Sequence, residues 1–271
     1  YAQGSSGPTI NSVISGAIGL VKSGGGSMTV AGVNTYTGGT TINQGTFNIA
    51  VGSLIPAATD PTKGLILNNV GLTLPFAGAV ASSNVVTLNA GGSITYFGSD
   101  SQAGLILNNL GGTGNPTVRT FNTAGLSTAN GVLTIGSAGI TVTSANVGTT
   151  AFIEGRVDFG ATAKTINVGA FDINGATDVA PLQAAFLLQG IVGSSGGINK
   201  TGNGVLQLNA QANFTGGFNV AAGGLRIGVT NAGSRFSRLT LGAGTRLDLN
   251  NQTTTWGSLA GSGDILSLIH I

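Results

Sequence analysis

The chain has 271 residues with a formal charge of +2, and only 7% of them are charged, where ordinary soluble domains carry roughly 25%. It holds 48 Gly, 24 Asn, 33 Thr and 22 Ser but no Cys, one His, one Trp and one Met, while 41% of residues are hydrophobic. This excludes intrinsic disorder, a disulfide scaffold and thiolate metal sites. It also excludes the basic stripe that nucleic acid demands and the strict Gly period of collagen.

From the N-terminus, nothing before Ile10 resembles the charged region and apolar core of a signal peptide, and the first residue is Tyr1. The sequence therefore reads as a fragment without natural termini. Short alternating runs follow: Leu65–Leu67, Val85–Leu88, Val132–Ile135, Ile140–Thr143, Leu206–Leu208, Leu225–Ile227 and Leu247–Leu249. Separated by Gly, Asn or Ser, they predict strands with one dry and one wet face. Helical periodicity is nearly absent, and Pro181–Phe186 is the best helix candidate, with a strand favoured over Phe186–Leu188. The densest apolar stretch, 179–192, is interrupted by Pro181, Gln183, Gln189 and Gly190, so no membrane-spanning helix is expected.

Residues 20–49 align without a gap on residues 198–227. Lys22/Lys200, Gly24/Gly202, Gly26/Gly204, Gly38/Gly216, Gly39/Gly217 and Gly45/Gly223 are identical, and Met28/Leu206, Val30/Leu208, Tyr36/Phe214 and Phe47/Leu225 keep apolar or aromatic character. The unit predicts a strand at 27–30, an inward aromatic at Tyr36, a Gly38-Gly39 corner, a strand at 40–43, a turn at Gln44-Gly45 and a strand at 46–49. Residues 64–69 share the same six letters with residues 104–109, a weaker echo. The whole predicts one solenoid of irregular coils.

Residues Asn34 to Ile42, with Lys22 to Gly26 before them and Gly45-Thr46-Phe47 after, resemble the autotransporter-associated β-strand repeat, also called the passenger-associated transport repeat. Gly257 to Gly263 and Val157 to Gly160 resemble segments that flank it. The resemblance implies an all-β, right-handed parallel β-helix (β-solenoid), with residues 1–264 a single passenger segment carrying repeat units at about 20–49 and 198–227. It implies an extracellular, surface-displayed protein associated with the outer membrane, and a C-terminal outer-membrane β-barrel as partner elsewhere in the chain. It implies a structural role in display, export and adhesion, without naming a glycan or protein ligand. Leu266 to Ile271 read like the translation of a sequencing adapter, so residues 265–271 are expected to be a non-native tail. Coils of ~20–25 residues predict about a dozen turns and a rod of roughly 55–60 Å at ~4.8 Å per rung.

Candidate chemistry is sparse. Glu154 is the sole Glu, and the alternation Glu154, Arg156, Asp158 would place two carboxylates and an Arg on one strand face, a constellation that could bind or cleave a sugar. An exposed ion-pair row is the stronger reading. Lys22 and Lys200, equivalent in both repeats, point to a structural role such as covering turn carbonyls. Trp256 reads better as a packed or edge-covering ring than as a carbohydrate platform, and Thr141-Val142-Thr143 is too isolated for an ice-binding ladder. His270 lacks partners, and Gly111 to Gly114 lack the Lys and helix of a phosphate loop. No catalytic, cofactor-binding or metal-binding residue, and no cofactor, is assigned. The expected function is non-enzymatic; the alternative is a carbohydrate-active β-helix enzyme or glycan-binding module.

Overall fold

Short runs of apolar residues alternating with small polar ones form strands, and Gly or Asn with positive φ ends them at the corners. In a computed structural model of the protein, which describes residues 7–112, 114–121 and 131–266, the strands wind into a parallel β-solenoid. The larger sheet has thirteen strands and runs from Leu20–Lys22 to Ser258–Gly261. A nine-stranded sheet runs from Gly71–Leu74 to Asp264–Leu266. A third sheet comprises Thr9–Ile10, Ser27–Val30 and Thr46–Ile49, the last of which lies against Gly71–Leu74. The remaining side of the coil is irregular, joined rung to rung by isolated parallel bridges such as Val33 to Leu54 and Gln211 to Gly233.

The main path of the larger sheet has eleven rungs, slightly fewer than the dozen expected, which makes the stack about 50 Å long at ~4.8 Å per rung. The difference comes from long coils in the middle. Most register partners lie about twenty residues apart, as in Leu20 to Thr40 and Ile198 to Phe218. Gly104, however, pairs with Gly139, and Lys164 with Ile198. The helix considered at 181–186 does not form: Ala184–Leu188 is a strand. Among the described residues the only helical element is a 3-10 turn at Pro61–Lys63, where Asp60 accepts a hydrogen bond from the Thr62 amide at 3.0 Å. Its sign in the sequence is Asp60 at the cap followed by Pro61 at the first position.

Stacking in register makes columns of like residues. Leu65, Val86, Leu105, Ile140 and Ile166 succeed one another, all buried. The six-letter echo is explained by this geometry: residues 64–69 and 104–109 occupy the same edge two coils apart, with Val85–Asn89 between them. Along that edge Asn68 donates to Asn43 Oδ1 at 2.6 Å, Asn89 to Asn68 at 2.6 Å and Asn108 to Asn89 at 2.8 Å. Asn43 in turn donates to Ser23 Oγ, and Thr143 Oγ1 donates to Asn108 Oδ1. Uncharged amides can stack in register because each both donates and accepts, whereas identical charges would repel.

The final strand carries the pairing on to Leu266, which matches Asp248. Residues 267–271, including His270, lie outside the described residues. No helix among the described residues is long and apolar enough to cross a membrane.

Candidate functional site

Each repeat is two consecutive coils. In the first, Leu20–Lys22 pairs with Thr40–Ile42 and Ser27–Val30 with Thr46–Ile49; in the second, Ile198–Thr201 pairs with Phe218–Val220 and Val205–Leu208 with Gly224–Ile227. The registers of the two copies are equivalent residue for residue. Tyr36 and Phe214, the aromatics at matching positions, are both buried, and the Tyr36 hydroxyl lies 2.5 Å from Thr40 Oγ1.

The lysines occupy inward columns. Lys22 is in register with Ile42, while Lys200 stands between Ile166 and Val220 and has no exposed surface. An ammonium so placed needs acceptors, and main-chain carbonyls supply them. Lys22 Nζ donates to Gly24 O at 2.6 Å, Gln44 O at 2.8 Å and Ser23 O at 3.3 Å. Lys200 Nζ donates to Gly202 O and Gly204 O, each at 2.6 Å, and to Ala222 O at 2.9 Å. Two of the three acceptors are equivalent positions, and the Gln44/Ala222 difference is immaterial because only the carbonyl is used. In both copies one acceptor belongs to the following coil, so the side chain ties two rungs together.

Glycine makes the nest. Gly45 and Gly223 have φ of 78° and 69°. A Cβ on Gly45 would lie 2.4 Å from the carbonyl oxygens of Gly24 and Gly26, and one on Gly223 would lie 2.5 Å from Gly204 O and 2.6 Å from Gly202 O. A side chain there would strike Gly24 O in the first copy and Gly202 O and Gly204 O in the second, oxygens that accept from the lysines.

Burial without a carboxylate partner pushes the Lys200 amine down from the usual lysine range to about 7. Between about 7 and the ordinary ~10.4, the unfolded chain holds a proton that the folded chain has released, so stability rises with pH across that window. Below about 7 both states are protonated and the slope vanishes. Urea unfolding from pH 6 to 10 is expected to show this rise in the wild type and to lose it in Lys200→Met. Identical profiles would mean that the three carbonyls keep the proton in place.

The Glu154, Arg156, Asp158 constellation does not assemble on one strand face. Outward alternation persists along 154–158, but Gly155, with φ of 120°, breaks the strand. Ala151–Glu154 belongs to the nine-stranded sheet and Arg156–Asp158 to the thirteen-stranded one. Glu154 Oε2 accepts from Arg119 Nε at 2.7 Å across neighbouring rungs, both side chains being more than a third exposed. Asp158 Oδ1 accepts from the Gly160 amide at 2.7 Å. Each carboxylate thus has its own partner, Glu154 on a neighbouring rung and Asp158 in the turn that follows its strand. No group of three or more metal-ligating side chains is found among the described residues.

Trp256 is a brace. Its ring lies 6.0 Å from that of Phe214 and 5.8 Å from that of Phe218, edge-on to the latter. It joins the aromatic corner of the second repeat from a later coil. Trp256→Ala is expected to cost about 2–3 kcal/mol, below the full range for a buried aromatic because the ring is only partly buried. Thermal unfolding of Trp256→Ala and Trp256→Phe checks this: the phenylalanine variant should recover most of the loss.

A family model described as the passenger-associated-transport-repeat matches residues 20–49 and 198–227, the two lysine-knotted coil pairs. The chain thus carries two copies of the passenger-associated-transport repeat. Over 282 aligned residues the sequence is 28% identical to the adhesin BmaC autotransporter of Brucella suis biovar 1 (strain 1330). That alignment covers 92% of this chain and 8% of the adhesin, so the chain spans a small part of its relative's length. No solved structure matches the chain. The passenger-associated-transport repeats lie near opposite ends of the described stack, with the elongated coils between them.

Proposed function

We propose that this segment is a non-enzymatic stalk of a surface-displayed autotransporter passenger, which extends the chain, presents what it carries, and assists export by folding outside the cell. The observation that carries this reading is the register of eleven rungs with a knotted repeat near each end. Each added coil buries apolar side chains on the previous one, so a coil that has folded outside the membrane opposes return of the chain. A solenoid gains stability coil by coil through nearest-neighbour contacts, which suits stepwise emergence. In this reading the partner is a C-terminal outer-membrane β-barrel of the same full-length protein, the location is the cell surface, and adhesion is the biological role of the whole.

The test is surface display of the full-length protein with Leu206→Asp and Leu208→Asp in the second repeat. Display is expected to fall severalfold at equal expression. Unchanged display would remove export assistance from the proposal, and turnover of a polysaccharide by the wild type would replace the stalk with an enzyme.

A further inference from the structure

Three successive coils are enlarged at the same corner. In the repeats, the turn from the larger sheet to its neighbour is tight, as at residues 202–204 and 221–223. In the middle of the stack the corresponding connections are residues 110–116, 145–150 and 172–183. The last is the longest and is well tied down. Ile173 and Ala176 form an antiparallel bridge, the Gly175 amide donates to Asp172 Oδ1 at 2.8 Å, and Gln183 Nε2 donates to Val147 O at 2.6 Å. It stands as a wall over the turns of the second repeat and encloses with them a cleft of about 310 Å³.

The floor of the cleft is formed by the glycines of successive turns, Gly204, Gly223 and Gly244, with Arg246 as the one charged side chain lining it. Asp264 is the register neighbour of Arg246 on the following coil, yet no ion pair forms within 4 Å. The reason is the direction of the side chain. A Cβ placed on Gly224, the neighbour on the preceding coil, would lie 3.4 Å from Arg246 Cγ and Nε. Arg246 therefore lies over the vacant side-chain position of Gly224, towards the cleft and away from Asp264. By contrast, Arg119 pairs with Glu154, and Arg226 lies 3.4 Å from Asp248.

We propose that this cleft binds a hydroxylated carboxylate the size of one sugar ring, a uronic acid unit, with Arg246 holding the carboxylate. A guanidinium presents a planar fork that fits a carboxylate with two parallel hydrogen bonds. Thr177 and Asn203 bring hydroxyl and amide groups for ring hydroxyls, and Ala180 and Pro181 offer an apolar wall for a ring face. The volume, at the small end for ligand pockets, limits the occupant to about one ring. This inference is independent of the stalk reading, since a stalk with or without the cleft stacks its coils in the same way.

The test is saturation-transfer NMR on the 271-residue chain with galacturonate and glucuronate, with galactose, glucose and glucose 6-sulfate as comparisons. Oligogalacturonate distinguishes a free acid from a unit within a polymer. Binding of at least one uronate is expected, weakened about tenfold or more in Arg246→Gln and retained in Asp264→Asn, with the melting temperature of both variants close to that of wild type. If Arg246→Gln proves unstable, Asn203→Ala read against the uronate and its neutral sugar serves instead, with a selective loss expected. Absence of uronate binding, equal binding of the neutral sugars, preference for the sulfate, or undiminished binding by a folded Arg246→Gln would each overturn the proposal.

Discussion

Replacing Leu206 and Leu208 together by Asp is expected to split the stack at the second repeat. Both side chains are buried in the strand Val205–Leu208, in register with Phe186 and Leu188 on one side and with Leu225 and Ile227 on the other. Loss of a buried Leu alone costs about 2.7–5 kcal/mol, and no buried cation lies in register to pair with either new carboxylate. The pair should therefore exceed about 6 kcal/mol, comparable to the whole stability of many domains. Because coils contact mainly their neighbours, the loss stays local. Limited proteolysis should cut near residues 198–227 while the coils carrying residues 65–109 remain protected. Wild-type resistance throughout would contradict the contact pattern.

The second large effect is expected at Gly223. Its φ of 69° is unfavourable for any residue with a Cβ, and the added methyl group would sit 2.5 Å from Gly204 O, 2.6 Å from Gly202 O and 2.7 Å from Asn203 C. Both oxygens accept from Lys200, so relief of the clash displaces the ammonium's partners. Gly223→Ala is expected to lose about 3–5 kcal/mol, backbone strain supplying about 1–3 of it. Gly244→Ala separates the two contributions, since Gly244 has a φ of 72° with open space where its Cβ would be. It should lose only the strain. Equal losses in urea unfolding of the two variants would show that the nest yields without cost.

The repeat was legible because its demands fall on single positions. A glycine that must both adopt positive φ and clear a ring of carbonyls, a lysine whose partners are main-chain oxygens, and an aromatic at an inward corner all recur 178 residues apart, as with Lys22 and Lys200. Strand Leu20–Lys22 was harder to see, being three residues with its lysine turned inward. The asparagine line was not legible: Asn43, Asn68, Asn89 and Asn108 come into line only once the varying coil lengths are known. Period-two spacing misplaced Asp158 relative to Glu154, since alternation in burial survives a corner and a shared sheet does not. The cleft at Arg246 had no local signature, because its wall and its floor are separated in sequence by one to three coils and meet only through stacking.

The span of each lysine across two coils also sets where such a chain can be cut and rejoined. A crossover between Lys22 and Gln44, or between Lys200 and Ala222, parts the amine from the carbonyl that completes its shell. A junction after Ile49 or Ile227 leaves both knots whole. Duplication, deletion or grafting that respects these joints moves a coil pair as one inheritable block, and the number of rungs can change without any block having to be refitted.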